Sequence, residues 1–88
     1  MVKLPSPSHK IHVRFFAVLR EQAGCSSVDF ESAASDAAGL YAELQRNYAG
    51  LVFPSSLLKV SVNERYAAMD AKLQAGDRVV FIPPIAGG

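Results

Sequence analysis

In these 88 residues, side-chain or main-chain type could do chemistry in three places: two histidines three apart, a single cysteine, and a chain end of two glycines behind two prolines. His9 and His12 sit where a Pro/Ser-rich stretch enters a strand. No Cys/His/carboxylate set accompanies them, so they read as exposed strand histidines and no metal site is expected. Cys25 has no evident His or Asn partner for nucleophilic catalysis and reads as a small apolar strand residue. Gly24, Gly39, Gly50 and Gly76 are scattered singly, which gives no phosphate loop. Glu21, Glu31 and Glu43 fall on different elements and read as solvated charges. Tyr41, Tyr48 and Tyr66 read as amphipathic packing.

The chain end is different. In "PPIAGG", Pro83 and Pro84 each fix φ near −65° and hold the root extended. Ile85 and Ala86 follow, and nothing after Ile85 is charged or bulky. Gly87 and Gly88 have no side chains and could thread a channel too narrow for other residues. The group so delivered is the α-carboxylate of Gly88. A carboxylate resists nucleophiles, but ATP can convert it to an acyl adenylate, from which a sulfur or amine nucleophile displaces AMP. The pattern suggests a carrier whose terminus is charged by another enzyme. A frayed terminus is the plain alternative.

Composition bounds the rest. The chain is long enough for one small domain, and half its residues are apolar, enough for a core. Net charge is +1, and no basic stretch interleaves with aromatics, so nucleic acid is not an expected partner. One cysteine excludes an internal disulfide and suits a reducing compartment. The N-terminus has no apolar core of signal-peptide length, and no apolar run is long enough to span a bilayer, so no membrane partner is expected and a cytoplasmic location is.

The elements that would position the tail follow from periodicity. Residues 1–10 read as a flexible arm, 11–82 as the domain and 83–88 as the extended tail. Ile11, Val13 and Phe15 alternate with His12, Arg14 and Phe16 in a first strand. "LREQAG" is a short helical turn stopped by Gly24, and "CSSVDFE" a second strand paired with the first. "SDAAGLYAELQRNY" is a helix capped by Ser35 or Asp36, with Ala37, Leu40, Leu44 and Tyr48 facing a sheet. Gly39 would cost its interior about 1 kcal/mol against alanine. "LLKVSVN" points Leu58, Val60 and Val62 inward. A turn at Asn63-Glu64 leads to a short edge strand, Gly76 takes the positive-φ position of the next turn, and "RVVFIPP" is the last strand. The order ββαβββ gives an α+β domain: a mixed sheet of four or five strands with one main helix on one face. The first and last strands are the most apolar and are expected centrally. If they run parallel as neighbours, Phe16, Val80 and Ile82 form an exposed apolar patch where the tail begins, unless the "AGLVFPSS" loop covers that face.

"FFAVLRE", "LLKVSVNERY" and "LQAGDRVVFIPPIAGG" together resemble the small, sulfur-carrier subunit of molybdopterin synthase, over essentially all of Ile11 to Gly88. The resemblance implies the β-grasp fold of ubiquitin. It implies that an adenylating, ubiquitin-activating-like enzyme uses ATP on Gly88, that sulfur then gives a thiocarboxylate, and that the tail enters the large synthase subunit of a heterotetramer. There sulfur passes to cyclic pyranopterin monophosphate. This chain would bind no cofactor itself. Three alternatives stay open: a carrier for thiamine or tRNA thiolation, a ubiquitin-like modifier, and a β-grasp interaction module with an idle tail.

Overall fold

The computed structural model describes residues 8–84. The arm residues 1–7 and the tail residues Ile85, Ala86, Gly87 and Gly88 lie outside the described part. Strand β1 spans His9–Phe15, helix α1 Val18–Ala23, β2 Ser27–Ser32, α2 Ala37–Asn47, a 3₁₀ turn Ser55–Leu57, β3 Lys59–Val62, β4 Arg65–Ala67 and β5 Arg78–Ile82. β1 therefore starts two residues inside the stretch read as the arm. Cys25 falls in the turn ahead of β2 rather than in the strand.

The five strands form one mixed sheet in the order β2-β1-β5-β3-β4. β1 and β2 are antiparallel, as a short connection favours. β1 and β5 are parallel neighbours, with Val13 opposite Val79 and Phe15 opposite Phe81. These four side chains, with Ile11 and Val60, are buried beneath Ala37, Leu40, Tyr41 and Leu44 of α2. Alternation in the strands and the three-to-four spacing in α2 thus put one apolar face of each layer into a common core. Tyr41 belongs to that core more fully than Tyr48. Its ring lies 5.1 Å from that of Phe81, and its hydroxyl donates to the Phe53 carbonyl at 2.8 Å.

Burial pushes the Tyr41 phenol up, and burial together with the neighbouring Cys25 does the same for Tyr48. A phenol that holds its proton more tightly when folded stabilises the fold fully below its unfolded pKa of about 10, and this contribution is lost as pH rises through the folded value. Melting temperature should therefore fall above about pH 10, and less steeply in Tyr41→Phe, as followed by circular dichroism.

Turn chemistry follows the expected positions. Gly24 and Gly76 adopt φ of 81° and 86°. Asn63 and Glu64, at 52° and 70°, make the two-residue hairpin between β3 and β4. Gly39 is not a helix-interior glycine. It lies in the first turn of α2, where its N–H donates to the capping Asp36 carboxylate at 2.8 Å. A Cβ there would come within 3.0 Å of the Ala34 Cβ and 3.1 Å of Asp36 Oδ1. Glu43 is not a free solvated charge either: it accepts from the Ser32 hydroxyl and from the Ala33 N–H, tying the end of β2 to α2.

The "AGLVFPSS" loop packs on the helix side. Leu51 is buried in the core. The Gln22 side chain accepts from Val52 and Phe53 N–H at 3.0 and 3.1 Å, which fastens the loop to α1. The close approach runs through Gly50, where a Cβ would stand 2.7 Å from the Gln22 carbonyl oxygen. Gly50→Ala must push backbone from backbone and should cost about 1–3 kcal/mol, the scale of an overpacked site, read as a lower urea midpoint.

Candidate functional site

With the loop fastened beside the helices, the other face of the sheet stays open. Register fixes which side chains share it, because directly opposed residues point the same way. One row runs Ser27, Arg14, Val80, Ser61, Tyr66 across all five strands. Nearer the tail, Ile82 stands opposite Lys59. Val80 and Ile82 are half-buried, whereas Val79 and Phe81 are wholly buried, so the alternation in β5 is complete.

Phe16 sits just past the end of β1 and is 43% exposed. Its position depends on the next residue. Ala17 has φ 53° and ψ −126°, a region that alanine rarely enters. The Phe16 carbonyl accepts from the Leu19 N–H at 3.0 Å. The chain thus turns sharply from strand into α1 and leaves the Phe16 ring beside the open face, with the Arg14 guanidinium carbon 5.7 Å from its centroid. Phe16 and Val80 line one shallow concavity. Ile82 lines two others, one with Tyr66 and one with Leu57, Pro83 and Pro84.

The tail therefore leaves the sheet between Phe16 on the β1 side and Leu57 with Lys59 on the β3 side. Pro83 is buried and Pro84 exposed, so the tail root is anchored at its first residue. Periodicity alone did not single out Tyr66, 82% exposed, or Leu57, 56% exposed. Tyr66 is not packed as Tyr41 and Tyr48 are. A signal for it did exist: a two-residue turn at Asn63-Glu64 puts residue 66 opposite residue 61, on the open face. Leu57 lies in an irregular segment, which has no alternation to read.

The other candidates separate. His9 faces the core side, its ring 3.1 Å from the Ala34 carbonyl. His12 lies on the open face, paired with Asp29 at 2.6 Å. The two rings are on opposite faces and cannot share an ion. Among the described residues no group of three His, Cys, Asp or Glu side chains is placed to hold a metal. No helix there is long and apolar enough to cross a membrane.

Known proteins resemble this arrangement along nearly the whole chain. The model of the ThiS family matches residues 13–88. The molybdopterin synthase sulfur carrier subunit of Mycobacterium tuberculosis is 31% identical over 83 residues, covering 90% of this chain and 98% of that protein. The crystal structure of small archaeal modifier protein 1 from Haloferax volcanii superposes with a TM-score of 0.73 at 25% identity, covering 88% of this chain and 99% of that one. A chain in the complex of subunits 1 and 2 of the molybdopterin-converting factor from Helicobacter pylori does so with a TM-score of 0.58 at 25% identity, covering 90% and 99%.

Proposed function

The chain belongs to the ThiS family, and from that premise we propose that it is the β-grasp sulfur carrier of molybdopterin synthesis, working through the carboxylate of Gly88. The observation that carries the reading is the tail root. A Pro-Pro segment leaves the sheet from an exposed apolar face, beside three strands that could seat a partner. The same chemistry is named in the relative from Mycobacterium tuberculosis.

In this mechanism the chain supplies a reacting terminus and a handle. A carboxylate oxygen of Gly88 attacks the α-phosphorus of ATP within an adenylating partner, and pyrophosphate leaves. Hydrosulfide then adds to the acyl carbon and AMP leaves, so that sulfur replaces one carboxylate oxygen; if the donor is a persulfide, a thiol must reduce the acyl disulfide it forms, and the thiol leaves as a disulfide with the donor. The large synthase subunit receives the charged tail, and sulfur passes to cyclic pyranopterin monophosphate. The acyl group returns to a carboxylate as water replaces the sulfur. ATP is thus consumed by the partner, and the residues that do the chemistry belong to the two partner proteins. Pairing with a large subunit is supported by the complex of subunits 1 and 2 from Helicobacter pylori.

Intact mass spectrometry tests the charging step. Incubation with the adenylating enzyme, ATP and a sulfur donor should make the chain heavier by the difference between sulfur and oxygen. The large subunit with its pterin substrate should then reverse the gain. Isopeptide-linked conjugates in place of this cycle would instead make the chain a modifier, the role named in the neighbour from Haloferax volcanii.

Tail length gives a further expectation. From Pro83 to Gly88 an extended chain spans at most about 20 Å. A Gly-Ser pair inserted after Pro84 should leave melting unchanged and slow sulfur transfer at least tenfold, the scale on which misplacement of a reacting group is felt. Unchanged single-turnover rates would mean that the prolines set no register.

A further inference from the structure

Charge on the open face is divided between its two halves. Away from the tail, each basic side chain has an acid near it: Lys10 stands opposite Glu31, His12 lies 2.6 Å from Asp29, and Arg78 pairs with Glu64 at 3.7 Å. Toward the tail, the charged side chains on the face are Arg14, in the row of Val80, and Lys59, opposite Ile82. Neither forms an ion pair among the described residues. They stand on either side of β5, so the apolar patch of Phe16, Val80, Ile82 and Tyr66 lies between and beside two cations.

Resting on the sulfur-carrier reading, we infer that the large subunit accepting the tail meets this half of the sheet with an acidic rim, its carboxylates placed to pair with Arg14 and Lys59 around an apolar seat for Phe16 and Ile82. Charge complementarity selects this occupant. A second copy of this chain docked on a two-fold axis through this patch would set Arg14 and Lys59 of one copy toward those of the other, while the nearby acids Asp29 and Glu64 are already engaged with His12 and Arg78. The terminal carboxylate adds to the argument. A channel that takes an anionic tail needs positive charge inside, and an acidic rim outside it steers the cationic patch into register without attracting the tail itself to the rim. Arg14 is also tied to the patch through the Phe16 ring, so one acid on the partner would order both side chains.

The test is calorimetric titration of the full chain into the large subunit at low and moderate salt. Arg14→Glu and Lys59→Glu should each weaken binding about tenfold, and the double variant more. Wild-type affinity should fall with salt, whereas that of the double reversal should rise as salt screens its repulsion from the acidic rim. Arg46→Glu, on α2 away from this face, should bind within about twofold of wild type. Melting curves accompany each variant, and Arg14→Gln with Lys59→Gln replaces any reversal that does not fold, with smaller losses of the same pattern. Charge reversals that bind like wild type, or wild-type affinity indifferent to salt, overturn the acidic rim but leave the carrier reading intact if mass spectrometry still shows charging. Self-association of the wild type that Arg14→Glu relieves overturns it in favour of a homodimer face. Failure of the wild type to bind the large subunit at all overturns both readings.

Discussion

A chain ending at Ala86 should fold like the full protein and acquire no sulfur. Every residue of the described core lies at or before the buried Pro83, ahead of the two glycines removed. Melting should be unchanged. Charging should vanish because the acyl carbon then belongs to an alanine two residues short, retracted by about 7 Å of extended chain. A displacement of even one ångström at a reacting centre can cost about a hundredfold, and this one is several times larger. Intact mass after incubation with the activating enzyme, ATP and sulfur donor gives the answer. A truncated chain that still gains sulfur, or still supports pterin thiolation, defeats the carrier mechanism. Gly88→Ala keeps the length but adds a methyl group at the terminus, and should be charged more slowly than wild type.

The second large effect belongs to Phe16. Tail ordering costs roughly 1–2 kcal/mol of backbone entropy per residue, so the contacts of a short tail need a docking surface beside it. Phe16 is the exposed aromatic next to the tail root, and aromatic anchors at interfaces carry about 2 kcal/mol or more. Phe16→Ala should therefore weaken binding to the large subunit roughly thirtyfold while the melting temperature barely moves. Phe15→Ala, one residue earlier and 1% exposed, should do the reverse and lose several kcal/mol of stability. Titration calorimetry beside melting curves separates them. A large drop in melting for Phe16→Ala with affinity intact would place its ring in the core and remove it from the interface.

The contrast between neighbouring phenylalanines also indicates what the sequence could and could not reveal. Alternation in "IHVRFF" and "RVVFI" assigns Phe15, Val79 and Phe81 to the core, because a period of two is a local property of strands. Asn63-Glu64 and Gly76 announce their turns because positive φ is chemically selective. The strong apolar character of β1 and β5 points to their central position, whereas their parallel pairing is supplied by the fold. What escaped depended on distant parts of the chain. Glu43 reads as solvated until the end of β2 brings Ser32 and Ala33 to it. Gly39 reads as a weak helix residue until Ala34 closes on it. The loop after α2 could have covered either face, and the choice rests on the Gln22 side chain, about thirty residues away, capturing its N–H groups. At the candidate site the tail and Phe16, Val80 and Ile82 came from local pattern, whereas Tyr66, Leu57 and Lys59 joined them only through register and an irregular segment.

The parallel pairing of β1 with β5 has a consequence for when the protein can be used. Phe16 comes from the first strand of the domain, while Val80 and Ile82 come from the last, and they meet only when a loop of more than sixty residues has closed. Such long-range closure comes late and slowly in folding, because its entropy cost precedes its contacts. A released but still unfolded chain therefore carries the complete diglycine terminus but no surface to present it. On the sulfur-carrier reading, an activating enzyme that gripped Phe16 together with Ile82 would spend ATP only on chains whose sheet is finished.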